Sequence, residues 1–247
     1  MRAPLRLASL ILLLASAGPA VCAESDFSQA AQRYAAADFP GAAAIYRSML
    51  ESQPRNASLR FNLGNALFKA GRTGPAIAEY QRAYDIRPRD ADIRYNLDFA
   101  LKRAGEELVP AGVPPFLHYL FHLLGTRELA GLHWIACWAA LLLASLALLR
   151  RSVSGPLGWW GAAAAAAWIF FGGWWGTRKA LEPTERAVVT KPFAEIRSGP
   201  GDNFSVAFTA PEGRRVEILS ENGRWLEIGL AKEGAKGWIL SESVERL

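Results

Sequence analysis

Apolar and small residues recur at helical spacing through the first part of the chain, and the period predicts helices over 24–37, 40–52, 57–70, 74–86 and 91–105. Pro54, Gly71 and Pro88 fall in the breaks between them. Farther on, charge disappears. Gly131–Leu149 and Val153–Gly176 contain no Asp, Glu, Lys or Arg, and each run is long enough to cross a bilayer. From residue 186 the pattern changes again, to short β-rich runs at Ala187–Thr190, Val206–Thr209, Arg215–Leu219, Trp225–Gly229 and Gly237–Leu240. Turn signals at Gly199-Pro200-Gly201, Glu212-Gly213, Asn222-Gly223 and Glu233-Gly234 separate them, and Asn222-Gly223 marks a tight hairpin.

The helical part repeats itself. Leu59–Gly71 matches Ile93–Gly105 at an offset of 34 residues, and the same offset relates Ala42, Tyr46, Met49 and Pro54 to Ala76, Tyr80, Ala83 and Pro88. Ala30 stands equally far before Gly64. This period is the signature of tetratricopeptide repeats, helix-turn-helix units that bury their apolar faces only by stacking on the next copy. An ordinary helical bundle would not place small residues, aromatics and prolines at matching offsets. Residues 24–108 are therefore expected to form an all-α solenoid, with the unpaired helix 91–105 capping it.

Ahead of the repeats, Arg2 and Arg6 precede an apolar run from Leu7 to Ala17, then Gly18-Pro19 and the small residues Val21-Cys22-Ala23. That layout predicts a signal peptide over residues 1–23, cleaved after Ala23. Val21 and Pro19 suit a lipidated Cys22 poorly, and the run is short for an uncleaved anchor. Cleavage leaves Cys137 as the remaining thiol, so no intrachain disulfide and no zinc chemistry are expected.

Arg150-Arg151-Ser152 is too short a connector to be a domain. Residues 131–149 and 153–176 are thus expected to form a two-helix transmembrane hairpin with its turn at 150–152. Export of the repeats would put that turn in the cytoplasm, which its arginines favour and Arg178 and Lys179 oppose. Trp159-Trp160 and Trp174-Trp175 would lie about 22 Å apart along a helix, as two interfacial belts do. Gly161 and Ala162–Ala167 offer a smooth face for the partner helix.

Pro110, Pro114 and Pro115 make 109–130 a hinge, and the apolar stretch from Phe116 to Leu124 suits a membrane interface. His118 and His122 share a helix face there, but two imidazoles without a third ligand make a poor metal site. Neither a metal nor a cofactor is expected. Residues 177–185 read as a linker to the final domain.

That final domain, residues 186–247, resembles bacterial SH3 domains. Ile196–Gly201, Glu212-Gly213, Gly223–Ile228 and Gly237-Trp238-Ile239 carry the resemblance, which implies a small all-β barrel with Trp225 and Trp238 as candidates for its ligand surface. Several such domains bind cell-wall peptides. No Tyr lies in the segment, so the aromatic, proline-accepting surface of eukaryotic SH3 modules is not evident.

The order of parts, together with Phe61–Asn65, Ala76–Ala83, Arg87–Asp92 and Asn96-Leu97, resembles the BatE family of bacterial aerotolerance operons. The resemblance implies von Willebrand A-domain membrane proteins as partners, a MoxR-type ATPase as an indirect one, and a role in envelope stress tolerance or complex assembly. The signal peptide and the two apolar runs lead to the expectation of a two-pass protein of the cytoplasmic membrane, with repeats and SH3 domain on the periplasmic side.

No phosphate loop, nucleophile motif or paired-carboxylate motif suggests an enzyme. The formal charge of +5 becomes +3 once Arg2 and Arg6 leave, which suits anionic lipid headgroups and does not argue for nucleic acid. The expected function is a membrane-anchored scaffold that binds protein partners in the repeat groove through Tyr34, Phe61, Asn62, Asn65, Lys69, Tyr95, Phe99 and Arg103. Asn amides can bond a partner's backbone, and Lys69 and Arg103 can meet acids. A chaperone-type carboxylate clamp is not reproduced, because Phe27 and Ala31 stand where a basic residue and an Asn would be needed. The alternative is a peptidoglycan-binding or wall-anchoring module acting through the SH3 domain. A cytochrome-maturation chaperone fits less well, since in those proteins the membrane helices usually precede the repeats.

Overall fold

The computed structural model describes residues 18–150, 154–181, 185–230 and 234–247. Helices α1 (Gly18–Ala35), α2 (Phe39–Ser52), α3 (Ala57–Lys69), α4 (Thr73–Ile86) and α5 (Ala91–Arg103) form the repeat stack at the expected positions. Side chains set the starts: Asp38 accepts from the Gly41 N–H, Asn56 from Ser58 and Leu59, and Asp90 from Asp92 and Ile93. Gly71 and Gly105 follow α3 and α5 with φ of +80° and +72°, the left-handed conformation that closes a helix. Helix α1 begins at Gly18, so helical backbone runs through the expected cleavage point, while the apolar run Leu7–Ala17 lies outside the described residues.

The matched positions are the core. Ala30, Ala42, Ala66, Ala76 and Ala100 are fully buried and let neighbouring helices approach, with Leu63, Ile77, Leu97 and Tyr80 filling the gaps. Gly64 lies under the Tyr80 ring, where an added Cβ would come within 2.6 Å of a ring carbon.

Past Leu108, which is buried against the stack, α6 (Pro115–Phe121) starts with Pro115 in its first turn. Helix α7 (Thr126–Leu149) starts ahead of the expected boundary at 131 because Glu128 accepts from the Gly125 N–H at 2.8 Å and fixes an earlier start. Helix α8 (Ser154–Leu181) runs beyond 176 into the expected linker. The two pack as a hairpin, whose expected turn lies partly outside the described residues at 151 and 152. His133 of α7 seats over Gly172 of α8, its ring 5.8 Å from those of both Trp168 and Trp175. Trp138, Leu142 and Leu148 of α7 and Trp159, Trp160 and Ile169 of α8 remain exposed. Among the described residues α7 is the one helix long and apolar enough to cross a membrane, since Gly and Trp make α8 less apolar.

The C-terminal part is an antiparallel sheet of β1 (Arg186–Val189), β2 (Phe193–Arg197), β3 (Val206–Pro211), β4 (Arg215–Asn222), β5 (Trp225–Leu230), β6 (Ala235–Leu240) and β7 (Val244–Arg246), ordered β3-β2-β6-β5-β4-β1-β7. Ala210 of β3 and Ala187 of β1, well apart in that order, share one core with Ile196, Ile218, Leu226, Ile228 and Ile239, so the sheet coils around it as an SH3 barrel does. Asn222 pairs with Trp225, and Gly223 takes φ +60° at the first central position of the two-residue turn. Strands β2 and β7 were not among the expected ones. Their signal is weak: β2 begins at the exposed Phe193, and β7 is three residues long.

The sheet is not a free appendage. Strand β1 is buried on both faces, with Ala187 and Val189 in the barrel core and Val188 in the repeat core. Gly74 in the first turn of α4 donates to Glu212 at 2.7 Å, and a Cβ there would strike the Val189 carbonyl oxygen at 2.3 Å.

Candidate functional site

The concave side of the stack is built by α1, α3 and α5, whose outward residues surround a groove of about 280 Å³. Tyr34, Asn65, Lys69, Tyr95 and Phe99 line it, together with Phe68, Tyr80 and Asn96. Tyr95 and Phe99 stand one helical turn apart on α5, with rings nearly parallel at 14° and 6.4 Å between centroids. Phe68 meets Phe99 edge to face at 5.7 Å. Tyr95 is 69% exposed and Phe99 52%, so the packing of the stack does not account for these two rings.

The groove floor is polar. Asn65 Oδ1 accepts from Tyr80 Oη at 2.7 Å and from Asn96 Nδ2 at 2.9 Å, which occupies both lone pairs and leaves its amide N–H groups to donate. Burial raises the phenol pKa of Tyr80, so this hydroxyl stays a donor at any physiological pH. Lys69 is exposed at the rim, and the Arg103 guanidinium lies 5.3 Å from the Phe68 ring centroid. A surface of offset aromatics, amides and two cations can hold an extended peptide by its backbone while favouring apolar and acidic side chains.

Three expected residues sit elsewhere. Phe61 packs against the repeat core beside Tyr80, with 6.0 Å between ring centroids. Asn62 is half-buried on α3 outside the groove lining. Arg103 reaches the groove only by covering Phe68. Phe68, Tyr80 and Asn96 were missed as lining residues, although Tyr80 and Asn96 fall on repeat-matched positions.

On the sheet, Trp225 is buried, with Arg197 and Arg224 guanidiniums 5.9 and 5.7 Å from its ring centroid. Trp238 is half-buried opposite Arg197 and Glu227. Nearby, Phe204 folds over Gly199, whose Cβ position is 2.5 Å from the ring, and remains 41% exposed. Trp238 and Phe204 are thus partly exposed aromatic groups of the sheet, and Phe193 at the start of β2 is more exposed still.

Between the modules lies a charged junction. Glu79 is buried and accepts from Arg60 at 2.8 Å and from Arg82, which also reaches Glu245 and the Arg246 carbonyl. Glu106, also buried, faces Arg214 at 3.1 Å and Arg215 at 3.7 Å. Burial lowers the Arg215 pKa, with Glu106 opposing it. His118 of α6 stacks on His122 with 4.3 Å between centroids, and burial, reinforced by His122, Arg215 and Arg178, brings its pKa down to about 4. No group of three or more His, Cys, Asp or Glu side chains suited to a metal occurs among the described residues.

Comparison with known proteins agrees with two of these modules. The bacterial SH3 domain family matches residues 192–245, and the TPR repeat family matches residues 64–105. A Bacillus subtilis (strain 168) protein named as an N-acetylmuramoyl-L-alanine amidase, YrvJ, is 38% identical over 55 residues, covering 22% of this chain and 10% of that protein. A solved structure of a MamA mutant is 23% identical, covers 34% of this chain and 46% of that one, and superposes with a TM-score of 0.32. The chain therefore spans about a tenth of the curated relative and under half of the solved one. Both matched families are binding modules rather than catalytic ones.

Proposed function

We propose that this protein is a non-enzymatic scaffold anchored in a bacterial cytoplasmic membrane, holding an extended segment of a protein partner in its repeat groove. The observation that carries the reading is the exposed Tyr95–Phe99 pair beside a polar floor whose lone pairs are already satisfied. The anchor in this reading is α7, the helix apolar enough to cross, with α8 packed along it as the returning span despite its Gly and Trp content, so that repeats and SH3 domain stand together outside after removal of residues 1–23. The BatE resemblance supplies the partner class, von Willebrand A-domain membrane proteins, with a MoxR-type ATPase acting through them.

Replacing Tyr95 and Phe99 by Ala tests the groove. Purified full-length protein should retain its helical content, while affinity for a co-purified von Willebrand A-domain partner falls at least about thirtyfold, as loss of a binding hot spot requires. Unchanged affinity would place the partner elsewhere.

A second reading, peptidoglycan binding through the sheet, is favoured by the SH3 match and by the name of the amidase that is 38% identical to this chain over 55 residues. It predicts that the whole chain in detergent sediments with purified sacculi and that Trp238→Ala abolishes this. The whole chain is the right reagent, because an isolated sheet would expose Val188.

A further inference from the structure

At one end of the repeat stack, the α2–α3 and α4–α5 turns enclose a shallow cleft of about 500 Å³. Arg55 and Arg87 supply its charge, Gln53 and Asn56 its neutral polar groups, and Ile86 and Pro54 part of its apolar wall. Among the described residues no carboxylate lines it. The α2–α3 turn is held in shape from behind: Arg60 donates from Nε to the Pro54 carbonyl at 2.9 Å and from Nη1 to Glu79 at 2.8 Å. Arg87 donates to Ser58 Oγ at 3.2 Å, which orients its guanidinium, and Arg55 has no ion-pair partner among the described residues.

The position of this cleft decides its ligand. Arg89, in the same α4–α5 turn as Arg87, bridges to Glu128 in the first turn of α7 at 2.6 Å. The cleft therefore opens at the end of the stack tied to the start of the apolar helix, where headgroups would meet the protein. We propose that it binds the phosphate headgroup of an anionic phospholipid, with Arg55 and Arg87 pairing the phosphate and Ile86 contacting the glycerol and upper acyl chain. The arrangement would fix the tilt of the stack against the bilayer and so the direction in which the peptide groove faces. This inference rests on the reading of α7 as a membrane helix.

The test uses the full chain in nanodiscs of phosphatidylcholine containing phosphatidylglycerol, with native mass spectrometry of the lipids that remain bound after release. Two basic groups, each contributing about fivefold near an anionic surface, should enrich phosphatidylglycerol about thirtyfold over phosphatidylcholine, and R55Q/R87Q should abolish that enrichment. Arg55→Glu alone should also abolish it, and since Arg55 holds no other side chain, this variant keeps the fold. Equal enrichment in wild type and variants would overturn the proposal. So would a thermal shift with inorganic phosphate and no phosphatidylglycerol enrichment, which would make the cleft a free-phosphate site. Competition by an acidic peptide but not by phosphatidylglycerol would overturn it as well. Incorporation into discs of phosphatidylcholine alone reads the α7 assignment separately, so the two ideas can fail independently.

Discussion

Tyr95 and Asn65 illustrate two ways a groove residue can matter. Tyr95 touches the fold mainly through Phe99, so its replacement should cost binding and little stability. Asn65 is an internal acceptor for Tyr80 and Asn96, and Asn65→Ala should leave both donors short of a partner. That substitution is expected to lower stability by about 1–3 kcal/mol in chemical denaturation, whereas Tyr95→Ala should stay within about 0.5 kcal/mol. The sequence distinguished these roles poorly. Helical period places Asn62, Asn65 and Lys69 near one another, but 3.6 residues per turn do not say which of them faces a neighbouring helix and which faces open space. Phe61 lies a turn before Asn65 and yet packs against the core beside Tyr80. Repeat matching did find Tyr80 and Gly64 as positions, and the structure adds the cause: one ring lies on one missing side chain. Gly64→Ala must push that ring aside, at an expected cost of about 1–3 kcal/mol in the same denaturation assay.

Among elements, α4 and α6 carry consequences that reach beyond themselves. The first turn of α4 meets β1 so closely that Gly74→Ala must separate them. The expected outcome is a loosened contact between α4 and β1, seen as faster hydrogen exchange of the β1 amides in the variant than in the wild type. Helix α6 carries a pH dependence. His118 is neutral in the docked state down to about pH 4, while a released imidazole takes up a proton near its ordinary value of 6.5. The released state binds more protons between those limits, so docking is fully stable above about pH 6.5 and weakens as pH falls toward 4. Hydrogen exchange of the α6 amides should accelerate across that window, and His118→Phe should remove the dependence. Helices α2 to α5 and five of the seven described strands were legible in the sequence to within a few residues, because helical period, caps and Gly turns are local signals, whereas β2 and β7 were missed. The docking was not, since Val188 reads as an ordinary inward strand residue until the face of α4 is brought against it.

For the molecule as a whole, the junction joins the two recognition modules into one unit. Glu79 and Glu106 each receive arginines from across or beside the interface, and a buried carboxylate deprived of those partners is costly. The order of modules was plain from composition alone, repeats before an apolar hairpin before short strands, because each class has its own period. Their mutual arrangement depends on contacts between residues more than a hundred positions apart, such as Gly74 with Glu212 and Arg82 with Glu245, which no local pattern encodes. In the proposed function the aromatic groove is the part of this unit that faces a protein. A photo-reactive phenylalanine analogue at Tyr95, introduced into the full-length protein in cells, tests this most directly, with mass spectrometry of the trapped species. The expected result is a discrete adduct with a von Willebrand A-domain membrane protein, lost when Lys69 and Phe99 are also replaced. Wall fragments alone, or no adduct from protein shown to be folded and exported, would contradict it.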